Sequence, residues 1–507
     1  MLSYSKSDIA VIYDDLIRNA FLEFKKGRMR CALKDISTAA RWAYNFNHIY
    51  TDPEAETLLK QISEATIERV TICQSVPNHY VLIDSFLWDN RGLTQQYLRA
   101  MMSCGAHILI IHTQPDGSIG RDIQAEIAAY AKGEIRQYPK GLNQIELARQ
   151  IVKDIETFQP ERIFLHLAPW ELSALMACNA VKGALKYQIN LTDHAYWLGA
   201  SFVDYVFEFR PYGLTVSLDK RFLRQDQLLP LPFYPITPYS PHFDGLPVLP
   251  PNAIVVFSGG APYKMLGKNN IFFHMMERVL SISPNVYILV AGFDPDPRFD
   301  EQVSKVKGCE RILQIGVRRD INAVFEHCDV YLGTYPMMGG LMTQYAALHG
   351  KPVVAYHDQG DIMNATEEMV NFYQHDYHSF TNLDEMTDYA RRLVEDATYR
   401  QEQGQLLLDG MMNGDKFNHE FAQIIQSNHS PFVWNKDAID YEAFFERYLE
   451  LENSDGFSAT RVLLRTQNIG AFLKLKHVKC KLLAILICTM CTKCLRVTFG
   501  SKAKRIV

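Results

Sequence analysis

Residues 332–356, LGTYPMMGGLMTQYAALHGKPVVAY, have the pattern of a strand, a loop, a helix and a second strand. The apolar residues at both ends predict the strands, and the small residues between them predict the helix. Gly339 and Gly340 open that helix, where free main-chain amides and the positive end of the helix dipole suit a phosphate group. The pair predicts a diphosphate site, unless the glycines only allow the helix to pack closely on the sheet.

Strands and helices alternate throughout the part of the chain that contains this unit. The predicted strands are residues 253–260, 285–293, 311–316, 329–335 and 352–356. The predicted helices between them lie near residues 269–281, 299–306, 319–327 and 340–348. Such alternation is typical of a parallel sheet covered by helices on both faces. We therefore predict a doubly wound, Rossmann-like domain over residues 253–430.

The same alternation occurs earlier in the chain. The predicted strands there are residues 79–84, 107–113, 134–139, 162–168 and 186–191. They predict another Rossmann-like domain over residues 75–228. The intervening residues 229–252 hold eight prolines within 229–251, which predicts a linker without regular secondary structure.

Helical spacing of apolar residues predicts a preface of two or three helices in residues 1–70. Residues 431–455 predict an amphipathic helix that crosses back from the second domain to the first, and residues 456–507 form a basic amphipathic tail. The predicted fold class is thus α/β, with two doubly wound parallel-sheet domains, a helical preface and a basic tail. A ligand is expected in the crevice between the carboxyl ends of the two sheets.

A further glycine motif follows the first strand of the second domain. In FSGGAPYK, residues 257–264, Gly259 and Gly260 allow the main chain to approach a ligand, and Lys264 is within reach of a phosphate. Taken alone, the motif is equally consistent with a tight turn followed by a solvated lysine.

Taken in order, FSGGAPYK, IGVRRDI, CDVYLGTYPMMGG and AALHGKPVV resemble the donor half of GT-B nucleotide-sugar-dependent glycosyltransferases, over residues 253 to about 428. The resemblance implies that cationic side chains and helix amides neutralise the leaving diphosphate, without a metal or a cofactor. The residues it assigns to the diphosphate are Gly259, Gly260, Lys264, Gly339, Gly340 and Leu341. Those at the base and ribose positions are Val317, Arg318, Arg319 and Tyr345.

The chain differs from this family at two positions. Retaining members carry a Glu-x7-Glu pattern whose second glutamate binds the ribose, and this sequence has Met337 and Tyr345 there. Retention or inversion of the anomeric configuration is therefore left open. The difference also leaves two alternatives: a GT-B-like docking protein without catalysis, and a sugar-nucleotide epimerase of the same fold.

A candidate catalytic base lies in the first domain. The run INLTDHAYWLG, residues 189–199, follows a predicted strand and is similar to stretches in bacterial polysaccharide and glycoprotein glycosyltransferases. His194 in this run can take a proton from an acceptor hydroxyl near neutral pH. The alternative is a histidine that is hydrogen-bonded at a domain edge. Asp193 is adjacent in the chain and is expected to point away from His194.

The loop after the first strand of the first domain supplies a second candidate. In DSFLWDNRGL, residues 84–93, Asp89, Arg91 and Gly92 precede a predicted helix at a position suited to acceptor binding or to closure on the donor. Asp89 is the second candidate catalytic residue. The alternative is a helix start, with Thr94 or Asn90 as the N-cap.

Two motifs raise the question of a metal site. Asp294 and Asp296 match an Asp-x-Asp pattern, but the flanking prolines favour a turn. Cys488, Cys491 and Cys494 could hold zinc or a cluster, but no second half of such a site accompanies them. We predict no metal site and leave the cysteine run as an open alternative.

Charge is unevenly distributed along the chain. Residues 456–507 contain 11 of the 52 Lys and Arg residues and none of the 57 Asp and Glu residues. The apolar run within this tail is far shorter than the roughly 20 residues that span a bilayer, so we predict an interfacial helix that binds anionic lipid. Charge alone would also fit nucleic acid, but the apolar content favours a membrane. Ten scattered cysteines and an N-terminus without a signal-peptide pattern predict a cytoplasmic protein on the inner membrane face.

Together these features predict transfer of a sugar from a nucleotide-sugar, most simply a UDP-sugar, to a hydroxyl of a glycan, a lipid-linked acceptor or a protein. His194 would be the base if the reaction inverts. Lys264, with Arg318 or Arg319, would stabilise the leaving diphosphate. The expected partners are the donor, the acceptor and an anionic membrane surface.

Overall fold

The computed structural model describes residues 4–114, 117–237, 242–373 and 377–455. Three helices come first: α1 (Lys6–Lys25), α2 (Met29–Phe46) and α3 (Pro53–Thr66). Ser5 and Asp8 form a capping box that starts α1, and the Asp52 carboxylate caps α3. Trp42 fills the centre of these helices, where its indole Nε1 donates a 3.0 Å hydrogen bond to the Ile9 carbonyl oxygen. The predicted tail, its interfacial helix and its cysteine run lie outside the described residues.

Within the described residues, seven parallel strands form the first large sheet, in the order β4-β3-β2-β5-β7-β8-β9. Its strands are β2 (Val76–Asp84), β3 (His107–His112), β4 (Gly133–Gln137), β5 (Pro160–His166), β7 (Leu185–Ile189), β8 (Tyr205–Glu208) and β9 (Leu228–Pro230). The short strands β1 (Val70–Thr71) and β6 (Val181–Lys182) pair separately. The helices of this half are α4 (Thr94–Ser103), α5 (Arg121–Ala129), α6 (Gln144–Phe158), α7 (Leu172–Ala180) and α8 (Pro211–Lys220).

The other large sheet has five described parallel strands in the order β12-β11-β10-β13-β14. They are β10 (Ile254–Gly259), β11 (Val286–Ala291), β12 (Ile312–Gln314), β13 (Val330–Leu332) and β14 (Val353–Val354). The helices around them are α9 (Ile271–Ile282), α10 (Pro297–Val303), α11 (Ile321–Glu326), α12 (Gly340–Leu348), α13 (Leu383–Glu395), α14 (Ala397–Gly410) and α15 (Gly414–Ser427). Both sheets are parallel and covered by helices, so the predicted fold class of two doubly wound domains after a helical preface is confirmed.

The proline-rich segment departs from the sequence prediction at its start. Leu228–Pro230 form β9, which pairs with β8 at the edge of the first sheet. The prediction that residues 229–251 contain no regular element was therefore wrong for its first residues. Pro230 is tolerated because an edge strand needs amide donors on only one side.

The chain crosses back to the first sheet earlier than expected. In α15, Phe417 and Phe421 contact the Tyr97 ring on α4, with ring centroids 5.3 and 5.8 Å apart. At the end of α15, Asn428 accepts a 2.6 Å hydrogen bond from the Tyr187 hydroxyl. The return to the first domain thus begins with α15, before residue 431. A last helix, α16 (Tyr441–Asp455), follows.

Membrane crossing has no support in the described part of the chain. None of the helices there combines the length and the apolar composition that a bilayer span requires.

Candidate functional site

The two glycine pairs lie next to each other because β10 and β13 are neighbours in the second sheet. A Cβ atom placed on Gly339 would lie 3.5 Å from the Gly259 carbonyl oxygen, and one on Gly260 would lie 3.4 Å from Lys264 Cδ. Gly340 begins α12 directly after this contact. Five of the six residues assigned to the diphosphate therefore lie near one another at the carboxyl edge of the sheet, and Leu341 follows in the first turn of α12.

Lys264 is the cation of this cluster. Its Nζ donates a 3.0 Å hydrogen bond to the Met338 carbonyl oxygen. Burial lowers the pKa of Lys264 from its ordinary value. Among the described residues no carboxylate forms an ion pair with this ammonium group, so an anionic ligand would supply the missing counter-charge.

The loop before α12 is held so that the helix start stays open. Thr334 Oγ1 donates to the Met337 carbonyl oxygen at 2.6 Å, and the Met338 amide donates to Asn364 Oδ1 at 2.8 Å. Gly339 is the N-cap residue, and within the described chain no side chain caps α12. The amides of Gly340 and Leu341 in the first turn can therefore meet phosphate oxygens.

The residues assigned to the base are placed differently from one another. Val317 is 59% exposed in the loop after β12, and Arg319 is exposed beside it. Arg318 is turned away: it forms two hydrogen bonds to the Asp320 carboxylate, at 2.7 and 2.5 Å, and donates to the Gly245 carbonyl oxygen at 2.7 Å. The Arg318 guanidinium is thus bound to Asp320 and the linker in this structure, and its role at the diphosphate stays a prediction.

Tyr345 is directed toward the linker. Its side chain is buried, and its hydroxyl donates a 2.7 Å hydrogen bond to the Ile236 carbonyl oxygen in the linker. This side of α12 faces the linker and not the carboxyl edge of the sheet, since the neighbouring Gln344 also donates to the Phe233 carbonyl oxygen. In this structure the Tyr345 side chain is therefore bound to the linker, and its predicted ribose contact stays a prediction.

In the first domain, His194 lies in a turn just after β7, and its side chain is 29% exposed. Its Nδ1 is 3.1 Å from Asp193 Oδ1, so the expectation that Asp193 points away was wrong. Adjacent side chains alternate in a strand, but these residues form a turn, where alternation does not hold. With Nδ1 bound to a carboxylate, Nε2 is the nitrogen able to accept a proton.

Asp193 is itself held by a buried ion pair. Its carboxylate accepts from Arg210 Nε at 2.5 Å and from Nη2 at 3.2 Å. Burial opposes the charge on Asp193, but Arg210 and the His194 hydrogen bond outweigh it and keep the pKa of Asp193 well below its usual range. Arg210 Nη1 also donates to the Met363 carbonyl oxygen at 2.9 Å. The sequence pattern gave no indication of Arg210, which joins the turn to the second domain.

The turn that carries His194 rests on a second buried arginine. Arg221 Nη2 donates to the carbonyl oxygens of Asp193 and Ala195, at 2.8 and 2.7 Å. Below it, the Glu208 carboxyl accepts from Asn190 Nδ2 and from the Ser217 hydroxyl. Burial raises the pKa of Glu208 to about 7, against the opposing effect of Arg221.

Glu208 should therefore make stability fall as pH rises. The Glu208 carboxyl keeps its proton to about pH 7 in the folded protein, whereas in the unfolded chain it loses the proton near pH ~4.3. The stabilisation that Glu208 gives the folded state is therefore complete at low pH and is lost as the pH rises through about 7. Between pH 5 and pH 8, we expect the free energy of unfolding to fall by about 1 to 3 kcal/mol more in wild type than in Glu208→Gln. Urea denaturation at several pH values in this range measures the free energy of unfolding. Glu301→Gln, at an exposed ion pair, is the control. Parallel curves for Glu208→Gln and wild type would contradict the assignment.

Asp89 has a structural task in this conformation. Its carboxylate accepts from the amides of Asp122 and Ile123, at 3.1 and 3.0 Å, and so caps the start of α5. The geometry gives no support to Asp89 as a catalytic residue. The N-cap alternatives also differ from expectation, because Leu93 precedes α4 without a side-chain cap and Thr94 Oγ1 donates to Asp84 Oδ2 at 2.7 Å.

Of the two possible metal motifs, only Asp294 and Asp296 lie within the described residues. Asp296 caps α10 by accepting from the Arg298 amide at 2.9 Å. Over the described residues, no group of three or more His, Cys, Asp and Glu side chains is arranged to hold a metal ion.

Comparison with solved structures finds a similar architecture in several glycosyltransferases. A glycosyltransferase from Rickettsia africae ESF-5 is 12% identical, with a TM-score of 0.51 over 69% of this chain and 99% of that chain. HepE from Anabaena, solved with UDP, is 14% identical, with a TM-score of 0.49 over 69% and 99%. An O-GlcNAc transferase from Thermobaculum terrenum is 15% identical, with a TM-score of 0.49 over 88% and 83%. No protein-family model and no curated protein sequence matches the chain. At such identities the likeness establishes the fold, which is of GT-B type.

Proposed function

We propose that this protein is a glycosyltransferase that moves a sugar from a nucleotide-sugar to a hydroxyl group of an acceptor. The observation that supports it most is the half-buried Lys264, which has no ion pair with a described carboxylate and lies beside two glycine pairs and the open start of α12. A diphosphate satisfies all three features at once, because it brings negative charge and oxygens that accept from main-chain amides. The sequence resemblance makes UDP-sugars the first donors to test.

The proposed reaction inverts the anomeric centre. The acceptor oxygen attacks the anomeric carbon while the bond from that carbon to the diphosphate oxygen breaks, and its electron pair leaves with the nucleoside diphosphate. His194 Nε2 takes the acceptor proton, and the Asp193 carboxylate at Nδ1 stabilises the imidazolium that forms. Lys264 and the amides of α12 stabilise the charge on the leaving group, which is why we propose transfer without a metal.

The acceptor is proposed to be a glycan, a lipid-linked saccharide or a protein at a membrane. The support is the basic composition of residues 456–507, which fits attraction to the anionic cytoplasmic face of a membrane.

Lys264→Ala tests the donor site. We expect the dissociation constant for UDP to rise about 10- to 100-fold, which corresponds to the ~1 to 3 kcal/mol of a charge-assisted phosphate contact. Calorimetric titration with UDP, GDP and UDP-sugars measures it. Lys305→Ala is the matched control, because Lys305 lies in the same domain and pairs with Glu301 on the surface. If wild type binds none of these nucleotides, the proposed function fails.

A non-catalytic docking protein is the second candidate. It is favoured by the burial of Tyr345, which leaves no carboxylate and no exposed side chain at the ribose position of α12. This candidate predicts no nucleotide binding, so the same titration separates the two.

A further inference from the structure

The last helix, α16, inserts an arginine into the second domain. Arg447 Nη1 forms an ion pair with the Asp361 carboxylate and lies 3.5 Å from the Pro336 carbonyl oxygen. Its Nη2 lies 3.4 Å from Asp358 Oδ2. The side chains of Arg447 and Asp361 are only 13% and 10% exposed, so little water screens this pair.

The Asp361 carboxylate connects Arg447 to the loop of residues 336–338, which precedes Gly339 and is called the diphosphate loop. Asn364 Nδ2 donates to Asp361 Oδ2 at 2.8 Å and to the Pro336 carbonyl oxygen at 3.1 Å. The other end of the same amide, Oδ1, accepts from the Met338 amide at 2.8 Å. Since Met338 also accepts from Lys264 through its carbonyl oxygen, hydrogen bonds run without a break from Arg447 to the proposed phosphate-binding lysine.

This network fixes both ends of the Asn364 amide. Its Nδ2 is bound by two acceptors and its Oδ1 by a main-chain donor, so the side chain cannot turn over without losing all three hydrogen bonds. Removing the guanidinium would leave the Asp361 carboxylate, which is largely shielded from solvent, without a cationic partner among the described residues. Asp361 would then shift toward solvent or another donor, and the loop that precedes Gly339 would lose its anchor.

We propose that Arg447 is a positioning residue of the diphosphate site: acting through Asp361 and Asn364, it holds residues 336–338 so that Lys264 and the first turn of α12 face the ligand. The inference rests on the proposed donor site and deepens it. Because Arg447 touches the loop under the phosphates and not the base loop after β12, its effect should fall on the diphosphate and not on the nucleoside.

The adjacent residue of α16 contacts the other half of the site. The Tyr448 ring stacks on His194, with centroids 6.2 Å apart and ring planes 27° from parallel. One helix thus contacts both the proposed diphosphate loop and the proposed base.

The control for substitutions at Arg447 is a substitution on α16 at a residue that makes no contact with the second domain. Glu442, which pairs with Lys6 of α1 on the outer side of α16, is such a residue.

Calorimetric titration of the full chain with UDP and with uridine tests the proposal. We expect Arg447→Gln to weaken UDP binding about 10-fold while uridine binds within twofold of wild type. Arg447→Lys, which keeps the charge but cannot span Asp361 and Asp358 together, should give an intermediate loss. Glu442→Gln should leave both affinities unchanged. Asp361→Asn added to Arg447→Gln should weaken UDP binding by less than the product of the single effects, because both belong to one network.

The outcomes separate this proposal from the donor site itself. If wild type binds UDP and both Arg447 variants bind it within twofold of wild type, Arg447 has no positioning role and the donor site stands. Equal losses for UDP and uridine, accompanied by a lower melting temperature, would also overturn the proposal, because they indicate a general anchoring role for α16. If Arg447→Gln does not fold, Arg447→Lys decides alone. If the wild-type protein does not bind UDP, both the proposed donor site and the proposed role of Arg447 are overturned.

Discussion

His194→Ala is expected to lower kcat for sugar transfer by about 10²- to 10⁴-fold, the range that a positioned general base contributes. UDP should bind this variant as it binds wild type, because His194 lies in the first domain and the proposed diphosphate contacts lie in the second. A steady-state assay of nucleoside diphosphate release, with calorimetric titration of UDP beside it, measures both quantities. The separation of kcat from UDP affinity distinguishes loss of a base from loss of folding.

His419→Ala is the matched control for this experiment. His419 is exposed on α15 and hydrogen-bonds to Gln423 of the same helix, so its removal should leave kcat unchanged. Added imidazole should restore part of the activity of His194→Ala by supplying the missing proton acceptor. Turnover within about threefold of wild type for His194→Ala would show that another group, or water, accepts the proton.

The candidate donor-site residues that the structure brings together are those that lie in short local motifs of the chain. Gly259, Gly260 and Lys264 lie within six residues at the end of β10, and Gly339 and Gly340 open the helix that follows the neighbouring strand, β13. Short sequence patterns predict a strand, the glycine turn after it and the start of the next helix, because these depend on local main-chain preferences. The helix dipole at that start then suits an anion. The parallel order of both sheets followed from the same alternation.

The contacts that bring distant segments together were not predicted. Asn364 and Arg447 meet the loop at residues 336–338 from 26 and more than 100 positions further along the chain. No local pattern marks an asparagine or an arginine for such a contact. The side chains of Arg318 and Tyr345 show the same limit. Both were assigned by their position in a motif, whereas contacts with the linker, at Gly245 and Ile236, determine where these side chains lie.

The Asp193–Arg210 ion pair contributes to the stability of the fold and also holds the proposed base. Its removal should therefore lower both the free energy of unfolding and the activity. Both side chains are buried, and each charge depends on the other for compensation. Asp193 also orients His194, and Arg210 also binds the Met363 carbonyl oxygen of the second domain. An isosteric change at Asp193 therefore leaves a buried guanidinium with a neutral neighbour and frees the imidazole to rotate.

Asp193→Asn is expected to destabilise the protein by about 3 to 5 kcal/mol, the scale for breaking a buried ion pair by removing one partner. Urea denaturation followed by circular dichroism measures the loss. Asp226→Asn is the matched control, because the Arg224–Asp226 pair is exposed and should contribute less than about 1 kcal/mol. Asp193→Asn combined with Arg210→Met should be less destabilised than Asp193→Asn alone, since the uncompensated charge is gone. If the double variant is less stable than Asp193→Asn alone, Arg210 stabilises the fold mainly through its packing and its hydrogen bond to Met363, and not by compensating the charge of Asp193.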